Sequence, residues 1–215
     1  MVTQVVTPFI LIPVKPLDEG KSRLASALDA PARRRLCGEL FERTLGLAIA
    51  FAGKRCLVIS RDPEVLRTAR GEGLVTVDES GDDLSAALDE GRRALGDALA
   101  DGLMILPTDL PRVEAADLAA VATTAAPVVL APDRRHDGTN LLLLSGPFAQ
   151  PFRFRYGVGS FAAHLAEARR LGADPAVVER PGLAFDLDEP EDLRHTAWGT
   201  DIFPLPPLRR GERVG

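Results

Sequence analysis

Strand-length apolar runs alternate with helix-period segments along nearly the whole chain, and that alternation narrows the possible folds more than any other feature of the sequence. The runs lie at residues 9–14, 56–60, 74–77, 103–107, 128–131 and 141–144, each bounded by Pro, Gly or a polar residue. Most are continuous rather than alternating, the pattern of strands buried on both faces. Between them, residues 30–51, 63–71, 84–100 and 114–123 carry helical periodicity. Asp29 as N-cap and Pro31 in the first turn mark where the first long helix begins.

A β-α alternation of this kind predicts a doubly wound, largely parallel sheet with right-handed crossovers. The short return from residue 131 to Asn140 predicts antiparallel additions at one end. A helix-like stretch follows at 159–171, and a last strand at 184–187 leads into a helix opened by Glu189, Pro190 and Glu191. The expected fold is therefore α/β: a single-domain mixed, mainly parallel, Rossmann-like sheet with helices on both faces, spanning residues 1–200. Residues 201–215 read as a Pro- and Arg-rich tail without order.

Composition excludes several classes. At 215 residues and 46% hydrophobic, the chain is long enough for one large core. Its two cysteines, Cys37 and Cys56, do not form a disulfide framework and read as buried thiols. The apolar run near the amino terminus has no basic residue before it and is broken by Pro8 and Pro13, so neither a signal peptide nor a membrane span is expected. A cytoplasmic location follows as the expectation. The net charge of -5 argues against nucleic acid as a partner, and no residue pattern sets an oligomeric state.

In open parallel sheets, ligands bind beyond the carboxyl ends of the strands. After the first strand, Lys15, Lys21, Ser22 and Arg23 stand in a loop expected to precede any helix, and only three of the 26 cationic residues are lysines. Clustered cations and backbone N–H groups suit a triphosphate, although a solvated basic loop would look the same. Gly20-Lys21-Ser22 is not a Walker A loop, because position 15 is Lys15 rather than glycine. After the fourth strand, Asp109 stands between two prolines as a strand-end carboxylate or a turn residue.

Asp186 and Asp188, two apart, would face one side of a strand and present two mutually repelling carboxylates, a pair that a cation relieves. Asp188 could instead cap the last helix. Asp83 and Ser85 open the helix after the third strand as caps or nucleotide contacts. Thr139, beside two arginines in a turn-rich loop that an ordinary hairpin would also explain, and Ser160, after Gly157 and Gly159 and equally a helix N-cap, could bind an anion. His136, His164 and His195 are scattered, so no hydrolytic triad forms; His164 and His195 read as ordinary helix residues.

Taken in register, Ile12-Pro-Val-Lys-Pro-Leu17 with Lys21-Ser-Arg-Leu-Ala25, Ser60-Arg-Asp-Pro63, Leu106-Pro-Thr-Asp-Leu-Pro111, Pro132-Asp-Arg134 with Gly138-Thr-Asn140, Gly159-Ser-Phe161 with His164, and Asp186-Leu-Asp188 with Pro190-Glu-Asp-Leu193 resemble the phospholactate guanylyltransferase family. That family makes the guanylylated intermediate of the deazaflavin coenzyme F420. The resemblance covers residues 10–193 and implies the nucleotide-diphospho-sugar transferase type of fold. It further implies Mg²⁺ as cofactor, GTP as donor and a small phosphorylated three-carbon acid as acceptor.

By the same resemblance, Asp109, Asp186 and Asp188 would bind metal, and Thr139, Gly157 and Ser160 would hold the acid's phosphate. On physical grounds, Lys15, Lys21 and Arg23 would neutralise the departing pyrophosphate, and Asp83 or Ser85, by their place after the third strand, could contact the nucleotide's ribose or base. Two other readings stay open: an enzyme of this fold with a sugar phosphate or molybdopterin as acceptor, and a nucleotide-binding regulator without catalysis.

Overall fold

The structure, a computed structural model, describes residues 7–81 and 83–196; the expected tail at 201–215 lies outside the described residues. Its strands are β1 (Phe9–Pro13), β2 (Cys56–Ser60), β3 (Val75–Asp78), β4 (Leu103–Ile105), β5 (Val128–Pro132), β6 (Thr139–Leu144) and β7 (Ala176–Val177). They form one seven-stranded sheet in the order β3-β2-β1-β4-β6-β5-β7. β1 pairs parallel with both β2 and β4, and β2 with β3. β6 runs antiparallel to both of its neighbours. The sheet is thus mixed and mainly parallel, as expected, but the reversed strand sits inside it rather than at one end.

The longer helices are α1 (Ala30–Ala52), α2 (Pro63–Gly71), α3 (Leu84–Leu95) and α4 (Ala115–Ala122); the chain continues through the short α5 (Gly146–Ala149), then α6 (Ser160–Arg170) and the short α7 (Pro181–Ala184). Alternate residues of each central strand point to opposite faces. Ile10, Ile12, Val58 and Met104 meet α1, α2 and α4 on one side. Leu11, Leu57, Ile59 and Ile105 meet α3 and α6 on the other. Burial on both faces explains why these strands read as unbroken apolar runs.

Three expectations need correction. The segment 184–187 is not a strand of the sheet: α7 ends at Ala184, and the chain then runs extended beside the turn after β4, with the Leu187 N–H donating to the Asp109 carbonyl at 3.0 Å. Its apolar alternation arises because Phe185 and Leu187 pack onto Leu24, Leu36 and Leu40 in a third cluster. The seventh strand is instead β7, two residues long and too short to leave a periodic signal. Ser22 and Arg23 belong to a 3₁₀ helix, Ser22–Ser26, rather than an open loop, and the last helix is also 3₁₀, Pro190–His195.

Gly91 lets α3 lie directly on the sheet. A Cβ there would stand 2.6 Å from Leu11 Cδ1 and 3.4 Å from Leu57 Cδ2. Replacing Gly91 with Leu is expected to lower the unfolding free energy by about 1–3 kcal/mol through overpacking. Denaturant titration checks this, and an unchanged midpoint would mean that α3 can move off the sheet at no cost.

Candidate active site

A cleft of about 450 Å³ opens beyond the carboxyl ends of the parallel strands. Its floor forms where three distant segments meet. The Lys21 ammonium lies 3.3 Å from Asp109 Oδ2 and 2.9 Å from Asp188 Oδ1. Burial alone would lower the lysine's pKa, but attraction to Asp109 and then Asp188 prevails and holds it above its ordinary value. Arg23 approaches the same corner from solvent, 3.8 Å from Asp188 and 3.5 Å from Glu189.

Local chemistry fixes each arm. Lys21 adopts a left-handed conformation, φ 52°, at the start of the 3₁₀ helix, a backbone region uncommon for residues other than glycine. Just before it, Gly20 fits against α1 only because it lacks a side chain: a Cβ there would stand 2.5 Å from Cys37 Sγ. The loop's near end is tied to α2 by Asp62, which accepts hydrogen bonds from Leu17 N–H at 3.0 Å and Glu64 N–H at 2.9 Å. Burial opposes the charge on Asp62, yet these backbone donors outweigh it and hold the carboxyl below its usual range.

The far arm carries Asp186 and Asp188. Phe185 and Leu187 are buried, and Asp186 and Asp188 take the alternate, half-buried positions; Asp188 lines the cleft and Asp186 does not. Arg112 and Arg134 guanidinium groups lie over the Phe185 ring at 4.2 and 4.7 Å. Asp192 accepts from the N–H groups of Asp188 and Glu189 and from Arg134. The cap of the last 3₁₀ helix is Glu189, so Asp188 is not spent on capping. Burial, then the negative charges of Asp109 and Asp188, push the Asp186 carboxyl above its usual range. Among the described residues, no three His, Cys, Asp or Glu side chains are drawn together as a ready metal cage.

Lys15, Lys21, Arg23, Asp83, Asp109 and Asp188 all line the cleft, with Lys15 at its exposed rim. Arg61 and Glu79, which follow β2 and β3, line it too. Sequence reasoning passed over both, although the rule that strand ends carry ligand contacts would have found them.

Ser85, Thr139, Gly157, Ser160 and Asp186 do not line this cleft. All but Asp186 converge on one neighbouring region beyond the start of β6. Thr139 N–H donates to Ser160 Oγ at 3.0 Å, and Thr139 Oγ1 lies 2.9 Å from His164 Nδ1. Arg155 N–H meets His164 Nε2 at 2.9 Å, and Tyr156 N–H donates to Ser85 Oγ at 3.1 Å. Asp83 caps α3 by accepting from Ala86 N–H. The cap of α6 is Gly159, φ 71°, whereas Ser160 is the helix's first residue and is buried. Gly157, φ 125°, takes a conformation that an L side chain would strain.

Strand order, the cationic loop after β1 and the strand-end carboxylates define the nucleotide-diphospho-sugar transferase class of fold. The same fold is found in a nucleotidyl transferase from Methanothermobacter, 19% identical with a TM-score of 0.62 over 87% of this chain and 95% of that one. It also occurs in a CMP:2-keto-3-deoxy-manno-octonic acid synthetase solved with CTP, 15% identical with a TM-score of 0.57 over 88% and 96%.

The chain belongs to the guanylyl transferase CofC-like family, whose model matches residues 8–199. It is 44% identical to a phosphoenolpyruvate guanylyltransferase of Rubrobacter xylanophilus over 86% of this chain and 91% of that protein. To the protein of the same name from Chloroflexus aggregans it is 38% identical, over 86% and 94%. No described helix is long and apolar enough to cross a membrane.

His164 titrates far from its usual range, because burial pushes its pKa down to about 4 although Glu167 pulls the other way. A folded-state pKa below the unfolded value near 6.5 means that the unfolded chain binds the proton first on acidification, so stability is lost as pH falls from about 6.5 towards 4. Unfolding free energy is expected to drop by about 2 kcal/mol between pH 7 and pH 4.5. In His164→Asn, most of that slope should disappear; denaturant midpoints at the two pH values check it, and an equal slope in both proteins would place the effect elsewhere.

Proposed function

We propose that this protein transfers GMP from GTP to the phosphate of a small phosphorylated three-carbon acid, releasing pyrophosphate, in the biosynthesis of coenzyme F420. The observation that carries this reading is the Lys21 ammonium set between Asp109 and Asp188 on the floor of the cleft. The names of the relatives favour phosphoenolpyruvate over 2-phospho-L-lactate and 3-phospho-D-glycerate as the acid.

Sheet geometry divides the site. With neighbouring strands about 4.8 Å apart, the three intervals from β4 across β1 and β2 to β3 span roughly 14 Å. That is about the reach of a nucleoside from its α-phosphate to the far edge of its base. The triphosphate belongs near Lys15, Lys21 and Arg23, and the base lies towards β3, where Asp83 and Glu79 stand. The acceptor takes the other flank of β4, where β6 begins and Thr139, Gly157 and Ser160 lie.

A phosphate oxygen of the acid attacks the α-phosphorus, the bond from that phosphorus to the bridging oxygen breaks, and the electron pair leaves on pyrophosphate. The second pKa of a phosphate monoester is about 6, so the nucleophile is already largely dianionic at neutral pH. No general base is needed. Lys21 and Arg23 counter the negative charge that gathers on the departing pyrophosphate.

Three carboxylates supply hard oxygen donors of the kind Mg²⁺ takes. Asp109, Asp186 and Asp188 would hold it, with Lys21 moving from the junction between two of them to the phosphates. When bound, the ion supplies charge neutralisation for the entering and leaving oxygens. Burial, and after it the charges of Asp109 and Asp188, push the Asp186 carboxyl upward, which supports this assignment.

Incubating the protein with GTP, Mg²⁺ and each of the three acids is expected to release pyrophosphate with at least one, phosphoenolpyruvate foremost. Silence with all three would reject the reading. Asp188→Asn should keep the fold and lose turnover by about a hundredfold or more, because shape is kept while charge at the reacting centre is removed. Near-normal turnover at limiting Mg²⁺ would leave Asp188 a merely structural residue.

A further inference from the structure

His164 on α6 is fully buried and takes no part in the reaction described above. Its surroundings are Thr139 from β6, the Arg155 backbone, the Phe152 ring at 5.6 Å and the Tyr156 ring at 4.8 Å, with Glu167 one turn further along α6. Arg155 offers Nε2 a backbone N–H at 2.9 Å, and a backbone N–H can only donate. Nε2 therefore carries the lone pair and Nδ1 carries the proton, which goes to Thr139 Oγ1 at 2.9 Å.

The consequence falls on the Thr139 hydroxyl. Thr139 Oγ1 accepts from the ring and must turn its own proton elsewhere. Independently of the ring, Ser160 Oγ accepts from the Thr139 backbone N–H at 3.0 Å, so its own proton is turned elsewhere too. Neither hydroxyl donates to any described residue, although both residues are buried. Two buried hydroxyl protons without an acceptor, side by side, suit a group that only accepts, such as a phosphate dianion.

We propose that His164 is a positioning residue that sets the direction of the Thr139 hydroxyl, so that Thr139, beside Ser160, presents a proton rather than a lone pair to the acceptor's phosphate. The inference rests on the assignment of this region to the acceptor. Its reach is specificity as well as order: a pocket of fixed donors favours the fully ionised phosphate over a hydroxyl or an amine. The same ring holds the other end of the region, because the Arg155 N–H that it accepts leads directly into the loop of Gly157 and Gly159.

Two substitutions separate the ring's two roles. The side-chain amide nitrogen of His164→Asn lies as many bonds from the backbone as Nδ1, so that variant can keep the donor to Thr139. The terminal amide of His164→Gln matches the position of Nε2 and can keep only the contact to Arg155. With GTP and phosphoenolpyruvate as substrates, the Gln variant is expected to raise the KM for the acid tenfold or more while the KM for GTP stays within twofold, and the Asn variant to recover most of the loss. Equal impairment of both variants, or an equal rise in both constants, would overturn the proposal. In the wild-type protein without substrate, a long-range ¹H–¹⁵N spectrum should find the proton on Nδ1; a proton on Nε2 would also overturn it.

If the wild-type protein is silent with every acid, the functional reading fails while the positioning role of His164 still has its own test. Titration with inorganic phosphate should shift the Thr139 and Ser160 amide resonances saturably in the wild type and not in the Gln variant, and the remaining amides report that the variant is folded. Identical shifts in the two proteins would sink that role itself.

Discussion

The site depends on one ammonium group held between two carboxylates. Lys21, Asp109 and Asp188 come from parts of the chain 88 and 167 residues distant from one another along the Lys21 contacts, and the bonds between them close the corner where those parts meet. An ion pair taken out of water would ordinarily cost more than it returns unless its partners are well placed. Here they are placed by the apolar cluster of Leu24, Leu36, Leu40, Phe185, Leu187 and Leu193 beneath, which packs the first loop and the last extended segment onto one another. The hydrophobic contact brings the backbones together, and the charges then have little freedom left to lose.

The same division explains what the sequence disclosed. Central strands were legible because burial on both faces leaves a continuous apolar run, and Asp29 and Pro31 announced α1 without any tertiary information. The alternation at 185–188 was legible too, but its cause was misdescribed. Phe185 and Leu187 alternate with Asp186 and Asp188 as a strand would, but the surface they cover is the third cluster and not the sheet. Periodicity reports which side of a segment is buried; it does not report against what.

Other features left no such trace. Arg61 and Glu79 became site residues through the position of strand ends, not through any local motif. Asp62 caps α2, and its further bond, to Leu17, spans 45 residues that no spacing rule connects. His164 looked like an ordinary helix residue because its significance lies in two hydrogen bonds to remote partners and in complete burial. Ser85 and Ser160 likewise show roles in the structure, as acceptors from Tyr156 and Thr139, that differ from helix capping.

Of the strands, β6 has the widest consequence. Because it runs against its neighbours, its beginning lies where β4 ends, and it is joined to β5 by a short turn-rich connection within residues 128–144. The region beside the cleft that carries Thr139 therefore assembles from contacts close in sequence, and closing a short loop costs little chain entropy. The parallel side requires β1 to find β4 across some ninety residues, the kind of remote pairing that slows folding. The cleft and the region beside it thus join a hairpin able to organise early to parallel strands that must wait for most of the chain, and the reversed strand is the seam between those two histories.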